Sequence, residues 1–324
     1  MSKCEDLYVV ILSSGEDHSI KSLVEALGGV DTPKQFTSVA GGGSLLQQTV
    51  ARYASLVPAE RMIAVVTGEH EGLARTQLRD WPGIDIIARP APCGAGVDLL
   101  LALGRVFARA PTARVLVTPA DHYVPYPEGL VGSVVAANRV VDEFSAILIG
   151  VAVGRGRGRK EWIVPGRSLG GQVLSVAGLV ESASPLQAAE LAAAGALWNP
   201  STLMARIEHL WYLAARHFPM QAEAVARLWA ENGSLTRTVA KACLDMPAID
   251  LGRGLLGGAS NLATIAVHGS GWTDWTSPEQ VLDSIRDPRE LEDLLLRILQ
   301  RQRAAGRTQL RKGFGPTAPH ANAA

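Results

Sequence analysis

The first 150 residues alternate between short, continuous apolar runs and longer segments in which apolar residues recur at helical spacing. Continuous apolar runs are typical of strands buried on both faces, and the longer periodicity is typical of amphipathic helices. The predicted strands are residues 8–12, 62–67, 84–88, 115–118 and 146–153. The predicted helices are residues 45–57, 69–80, 97–108 and 128–141. This βα alternation predicts an α/β protein with a parallel sheet and helices on both faces.

The pattern changes in the second half of the chain. Two short apolar runs, residues 162–165 and 173–180, predict a small hairpin. The other predicted elements are helices at 185–194, 207–216, 221–231 and 290–302 and a late strand at 261–267. Residues 306–324 are rich in Gly, Pro, Ala and Arg without periodicity, so we predict a disordered tail.

Composition narrows the class of protein. The 324 residues have a formal net charge of zero and are 47% hydrophobic, which gives no reason to expect nucleic acid or an anionic membrane as a partner. No apolar run approaches the roughly 20 residues that cross a bilayer. The three scattered cysteines fit a reducing cytoplasm. The basic loop at residues 154–160 could bind phosphates, but without interleaved aromatic residues we favour a mobile surface loop.

The predicted strand at residues 115–118 stops at Pro119 and is followed by Asp121. In open α/β sheets, ligands bind beyond the carboxyl ends of the strands. A carboxylate delivered there indicates a metal or ligand site. Asp often closes a turn after a strand as well, and the residues alone leave both interpretations open.

The loop after the first predicted strand, residues 13–18, is small and polar. α/β proteins often bind phosphate at this position, because the N–H groups of the loop are free to face an anion. Here the loop has a single glycine, and its acidic residues Glu16 and Asp17 disfavour an anion. Lys34, held beside the loop by Pro33, could reach a phosphate; the alternative is a solvated surface lysine.

Seven short motifs follow one another along the chain. They are PKQF (33–36), SLLQQT (44–49), PADH (119–122), EWI (161–163), Glu181, GALWN (195–199) and GWTD (271–274). Their content and order resemble the bacterial mannose-1-phosphate guanylyltransferases, which are sugar-phosphate nucleotidyltransferases. The resemblance spans about residues 7–286.

The resemblance implies a Rossmann-like nucleotidyltransferase fold, with a mostly parallel mixed sheet flanked by helices and a small β-rich sugar-binding lid. Residues 1–286 would form this domain, with the lid at about 155–205, and residues 287–305 would form a C-terminal helix. A homo-oligomer is left open.

The resemblance also implies a reaction, in which a sugar 1-phosphate attacks the α-phosphorus of GTP, or another nucleoside triphosphate, and pyrophosphate leaves. Such a transfer needs positioning, cations and a divalent metal rather than covalent chemistry from the protein. Asp121 and Asp274 would hold Mg²⁺, and Lys34 would act with them as a catalytic residue by neutralising phosphate charge. The other implied site residues are Ser13, Ser14 and Gly15 for the nucleotide and Glu181 and Asn199 for the sugar.

The chain departs from the family pattern at the groups that bind phosphate. The family loop reads AGGxGTRL, whereas residues 13–20 read SSGEDHSI. Ser19 thus stands where the family has an arginine that clamps the triphosphate, and Ser182 stands where it has a lysine for the sugar phosphate. The polar NRGTA segment of the family is PCGAG at residues 92–96. A catalytically impaired or inactive relative with a regulatory or partner-binding role is therefore the alternative.

A further alternative is a remodelled metal site formed by Asp121 with the loop residues Glu16, Asp17 and His18. For His18 we favour the other interpretation, an ordinary loop histidine.

Overall fold

The computed structural model describes residues 4, 6–15, 17–27, 32–39, 41–89, 95–152, 161–182, 184–230, 255–256 and 259–313. Several sequence predictions fall outside these ranges: the mobile loop at 154–160, Glu16, most of the 92–96 motif and the end of the tail at 314–324. Within the described ranges, no helix is long and apolar enough to cross a bilayer.

The strands and helices follow the predicted alternation. The strands are β1 (Leu7–Leu12), β2 (Met62–Thr67), β3 (Asp85–Arg89), β4 (Arg114–Pro119), β5 (Ala146–Ala152), β6 (Glu161–Gly170), β7 (Val173–Glu181), β8 (Leu197–Trp198), β9 (Leu203–Arg206) and β10 (Leu262–Val267). The helices are α1 (Lys21–Ala26), α2 (Leu45–Tyr53), α3 (Glu71–Gln77), α4 (Ala95–Arg109), α5 (Glu128–Val140), α6 (Pro185–Ala193), α7 (Ile207–His217), α8 (Pro219–Ala230), α9 (Pro278–Ser284) and α10 (Pro288–Gly313).

The sheet is mixed and mostly parallel in its main part. β1 lies between β2 and β4 and is parallel to both, and β3 is parallel to β2. β9 runs antiparallel between β4 and β5, and β10 is parallel to β5. This confirms the predicted mixed α/β architecture. The carboxyl ends of β1, β3, β4 and β10 consequently lie along one edge of the sheet.

Two apolar cores cover the two faces of the sheet. Alternate residues of β1 face opposite sides, so Val9 and Ile11 belong to one core and Val10 to the other. Helices α2 and α5 pack on the first face, and α4, α7 and α8 pack on the second. A smaller third cluster joins α1, α9 and α10 around the fully buried Trp275.

The β6–β7 hairpin forms where the sequence predicts it. Its strands pair antiparallel, and it joins the sheet through β10 on one side and β8 on the other. The fold therefore contains the β-rich part that was predicted near residues 155–205. Its role as a sugar-binding lid stays a prediction.

Helix α2 begins at a capping box. The Ser44 hydroxyl accepts from the Gln47 N–H, and the Gln47 side chain accepts from the Ser44 N–H at 2.9 Å. Gly43 precedes the box with φ +91°, and a Cβ there would lie 2.7 Å from the Gln47 side-chain oxygen. The glycine run before α2 thus has a local structural reason.

Helix α10 continues to Gly313, beyond residue 306 where the predicted disordered tail begins. Most of residues 303–313 are Ala, Arg, Gln, Leu and Lys, which have high helix propensity and extend a helix that has already started. Three short elements, α1, β9 and α9, were not predicted. Each is too short to show a clear period in the sequence.

Candidate functional site

The loops that carry Asp121 and Asp274 meet at the carboxyl edge of the sheet. Asp121 follows β4 and Asp274 follows β10. The backbones of Tyr123 and Thr273 exchange two hydrogen bonds, of 2.9 and 3.0 Å, which fasten one loop to the other. Two acidic residues that are 153 positions apart in the sequence are thereby brought to one place.

Lys34 lies between these two loops. Its side chain is only 2% exposed, and its Nζ is 3.3 Å from Asp121 Oδ2 and 2.5 Å from the Asp274 carbonyl oxygen. The third partner of Nζ is Asp17 Oδ2, at 2.6 Å. An ammonium group has three protons to donate, so these three oxygens can engage all of them. Lys34 is therefore a buried cation at the centre of the site and not a solvated surface lysine.

Asp17 is fixed by the loop as well as by Lys34. Its Oδ1 accepts from the Ser19 N–H at 2.8 Å, and its carbonyl accepts from the Lys34 N–H at 3.2 Å. Burial raises the pKa of Asp17, but the hydrogen bonds from Lys34 and Ser19 outweigh it, so the pKa lies below its ordinary value. Ser19 itself donates to the Trp275 carbonyl at 2.9 Å. This contact ties the loop to the residue that follows Asp274.

Aromatic rings line the side of the site next to Asp121. His122 Nε2 is 3.5 Å from Asp121 Oδ1, and the His122 ring meets Trp272 edge-on with centroids 4.8 Å apart. Trp272 lies 5.9 Å from Trp198, and Trp198 lies 6.3 Å from Trp162 on the hairpin. A continuous row of rings therefore connects the hairpin with the loop of Asp121.

The residues expected to bind sugar come together at the hairpin. Glu181 ends β7 and lies opposite Glu161 in the ladder, and the Asn199 N–H donates to the Glu161 carbonyl at 3.1 Å. Asn199 is buried, and its side-chain oxygen accepts from the Ser201 N–H at 3.0 Å. The adjacent Ser182 is buried too, and its hydroxyl accepts a hydrogen bond from Trp162 Nε1 at 3.1 Å.

The β1 loop is held by an ion pair that the sequence analysis missed. Arg89 ends β3, Asp98 lies in the first turn of α4, and Arg89 Nε is 2.7 Å from Asp98 Oδ1. The Ser14 hydroxyl donates to the other Asp98 oxygen, and the Ser14 carbonyl accepts from Arg89 at 3.2 Å. Burial raises the pKa of Asp98 to about 6, against the opposing effect of Ser14 and Arg89. Asp98 is a charged residue inside the nearly all-apolar run at 97–108, and this position was the signal in the sequence for a buried ion pair.

The donor set at the edge suits a hard divalent cation that also binds substrate. The described residues contain no cluster of three or more His, Cys, Asp or Glu side chains able to hold a metal alone. Mg²⁺ needs only one or two carboxylates when substrate phosphates and water supply its other ligands. Asp121, whose carboxylate is 31% exposed, and Asp274 fit that requirement.

No protein-family model and no curated protein matches the chain. Solved structures do match. A mannose-1-phosphate geranyltransferase from Thermus thermophilus is 24% identical, with a TM-score of 0.76 over 87% of this chain and 80% of that one. A mannose-6-phosphate isomerase from Helicobacter pylori is 14% identical, with a TM-score of 0.64 over 83% and 99%.

A third structure, the inositol-1-phosphate CTP transferase from T. maritima, is 12% identical, with a TM-score of 0.56 over 92% of this chain and 98% of that one. The similarity extends over most of each protein, so it concerns the whole domain and not a single motif. The chain has the fold of these sugar-phosphate proteins.

Proposed function

We propose that the protein is a Mg²⁺-dependent nucleotidyltransferase. It transfers a nucleotidyl group from GTP, or from another nucleoside triphosphate, to a sugar 1-phosphate and releases pyrophosphate. The observation that carries this proposal is the position of Lys34, a buried cation between the loops of Asp121 and Asp274 at the carboxyl edge of the sheet. The shared fold and the ordered motifs support the same reaction class.

The chemistry asks little of the protein beyond positioning. An oxygen of the sugar 1-phosphate attacks the α-phosphorus, a new P–O bond forms, and the bond to the bridging oxygen of the β-phosphate breaks. The phosphate nucleophile is already anionic near neutral pH, so no general base is required. Lys34 would bind a phosphate oxygen and stabilise the charge that develops there. Mg²⁺, held by Asp121 and Asp274, would supply Lewis-acid stabilisation of the phosphate oxygens.

The acceptor would bind against the hairpin. Glu181 and Asn199 are suited to accept and donate hydrogen bonds to sugar hydroxyls, and both lie on the segments around Glu161. The row of rings from Trp162 to His122 would form the wall between the sugar and the metal. Apolar faces of sugar rings pack well on such side chains.

Two observations favour the alternative, a catalytically impaired relative with a regulatory or partner-binding role. The protons of Lys34 can all be engaged by protein oxygens, one of them from Asp17. In addition, Ser182 binds Trp162 at the position where the family has a lysine for the sugar phosphate. A triphosphate must displace Asp17 to reach Lys34, and that displacement opposes binding.

A pyrophosphate-release assay tests the proposal. A panel of nucleoside triphosphates and sugar 1-phosphates with Mg²⁺ should identify a pair that turns over. Asp121→Asn and Asp274→Asn should each slow that reaction by about 100-fold or more, the usual scale for removing one electrostatic contact to a transition state. Asp80→Asn is the matched control, because Asp80 has a carboxylate that is 74% exposed.

The alternative has a distinct outcome. If no pair turns over, and no nucleoside triphosphate at millimolar concentration raises the melting temperature, the protein does not bind the proposed donor. Wild-type turnover in both aspartate variants would instead keep the reaction and remove Asp121 and Asp274 from the metal site.

A further inference from the structure

Three buried side chains from different elements hold the loop after β1. Gln35, from the short helical turn at residues 34–36, donates to the carbonyls of Ser13 at 2.9 Å and Gly15 at 2.6 Å. Arg89, at the end of β3, donates to the carbonyl between them, that of Ser14. Asp98, in α4, accepts from the Ser14 hydroxyl. Three successive carbonyls of this loop are therefore fixed from the interior.

Fixing a carbonyl also fixes the next N–H. In a trans peptide the C=O of one residue and the N–H of the following residue point in opposite directions, and the described chain has no cis peptide bond. The N–H of Ser14 therefore points away from Gln35, and the N–H of Gly15 points away from Arg89. Neither N–H takes part in a hydrogen bond among the described residues.

No described residue fills the space beside Gly15. A Cβ built on Gly15 would meet no heavy atom of the described residues within 4 Å. Two unpaired N–H groups with room for a ligand suit an anion, since successive backbone N–H groups are a common phosphate-binding arrangement. Ser19 supplies no cation here, so the backbone donors would add to Lys34 what the family arginine supplies elsewhere.

We infer that Arg89 and Asp98 are positioning residues, which fix the β1 loop so that the N–H groups of Ser14 and Gly15 face a bound phosphate. They do not touch the anion. The inference deepens the proposed function, on which it rests for naming the anion as the phosphates of a nucleotide. The Arg89–Asp98 pair is 4% and 1% exposed, so it contributes no charge to the solvent-facing surface of the site.

The matched control is another ion pair between the same two elements. Asp85 of β3 is 2.8 Å from Arg105 Nε and 2.7 Å from an Arg109 nitrogen, both on α4. Asp85→Asn therefore weakens the docking of α4 on β3 without touching the loop, whereas Asp98→Asn weakens the loop contact. Because Asp98→Asn removes the charge that faces the buried Arg89 at 2.7 Å and could prevent folding, the second test variant is Arg89→Met combined with Asp98→Leu. That pair keeps the packing volume and removes both charges.

Two measurements separate positioning from general stability. In amide hydrogen exchange, Ser14 and Gly15 should exchange about tenfold faster in the Asp98 variants than in Asp85→Asn, since a loop that opens more often exchanges faster. In calorimetric titration, inorganic tripolyphosphate should bind about tenfold more weakly to the Asp98 variants, the factor that corresponds to losing one hydrogen bond to a charged group. Asp85→Asn should bind as the wild type does.

Unchanged exchange and unchanged tripolyphosphate affinity in the folded double variant would overturn the inference. Equal losses in the Asp85 and Asp98 variants would overturn it as well, because both pairs would then act only through α4 docking. The proposed function fails differently. A wild-type protein that binds tripolyphosphate through this loop but releases no pyrophosphate from any donor supports the positioning role and refutes the transferase.

Discussion

Asp17 is the residue whose removal tests the electrostatics of the site most directly. Its carboxylate is 2.6 Å from Lys34 Nζ, so a phosphate oxygen that approaches Lys34 must replace it. A hydrogen bond between two charged groups contributes about 1.5–3 kcal/mol. Asp17→Asn removes most of that competition and also removes the repulsion between a carboxylate and a phosphate. The affinity for Mg²⁺-bound GTP should therefore rise by about tenfold or more, since 1.4 kcal/mol corresponds to a factor of ten.

The same substitution should lower stability. The pKa of Asp17 is depressed by Lys34 and Ser19 even though burial opposes this, so its ionised form stabilises the folded protein. That contribution is present above the ordinary pKa of an aspartate and is lost as the pH falls through the depressed pKa of the folded state. Asp17→Asn should thus melt at a lower temperature near neutral pH and bind nucleotide more tightly. A variant that loses stability and gains affinity identifies a group that opposes ligand binding.

Titration calorimetry with GTP and Mg²⁺ gives the affinity, and a thermal melt without ligand gives the stability. Asp80→Asn removes an equal charge from an exposed position and controls for the change in net charge. An unchanged or weaker affinity in Asp17→Asn would refute the competition. In that case Asp17 would take part in ligand binding, for example as an additional carboxylate for the metal.

Three further predictions concern other parts of the structure. Burial raises the pKa of Asp98 from 3.8 to about 6, so the folded state holds a proton that the unfolded state loses. The stability from this proton, about 3 kcal/mol at 1.36 kcal/mol per pKa unit, is complete only below the unfolded pKa and is lost as the pH rises through 6. Urea unfolding of Asp98→Asn should therefore show a smaller loss of stability over this pH range. Ser19→Arg in an Asp17→Gly background should strengthen triphosphate binding beyond Asp17→Gly alone, measured by calorimetry, because it adds a bidentate donor. Gly104→Ala should destabilise by about 1–3 kcal/mol in urea unfolding, because its Cβ would lie 2.4 Å from Val225 Cγ1.

The sequence predicted the frame of the sheet because buried parallel strands leave a strong pattern. The run LYVVIL of β1 is apolar at every position but belongs to two cores, and such runs occur only where both faces of a sheet are covered. β9 has only four residues, LMAR, and no pattern that distinguishes it from a loop. Its position is decided by pairing with β4 and β5, and the residues of β9 alone do not indicate these partners.

That Lys34, Asp121 and Asp274 belong to one candidate site was predictable from the sequence, but their contacts were not. Motif order was enough to single out Lys34, Asp121 and Asp274. It did not indicate that Asp17 would be a direct partner of Lys34, because that contact depends on how the loop turns after Gly15. The Arg89–Asp98 pair was missed for a similar reason. Neither residue belongs to a recognisable motif, and only the packing of α4 against β3 places Arg89 Nε 2.7 Å from Asp98 Oδ1.

The charge balance around Lys34 indicates how the site would have to change to bind a triphosphate. Two carboxylates contact this single ammonium, and a third acidic residue, Asp274, offers it a carbonyl. Among the described residues, the immediate surroundings of Lys34 are therefore net negative, which weakens the binding of a polyphosphate that brings no cation with it. A divalent cation held by Asp121 and Asp274 would offset that negative charge, and it would also compete with Lys34 for the oxygen of Asp121. Under the proposed function, binding of the metal and release of Lys34 toward the phosphate would be coupled, because each removes an obstacle to the other.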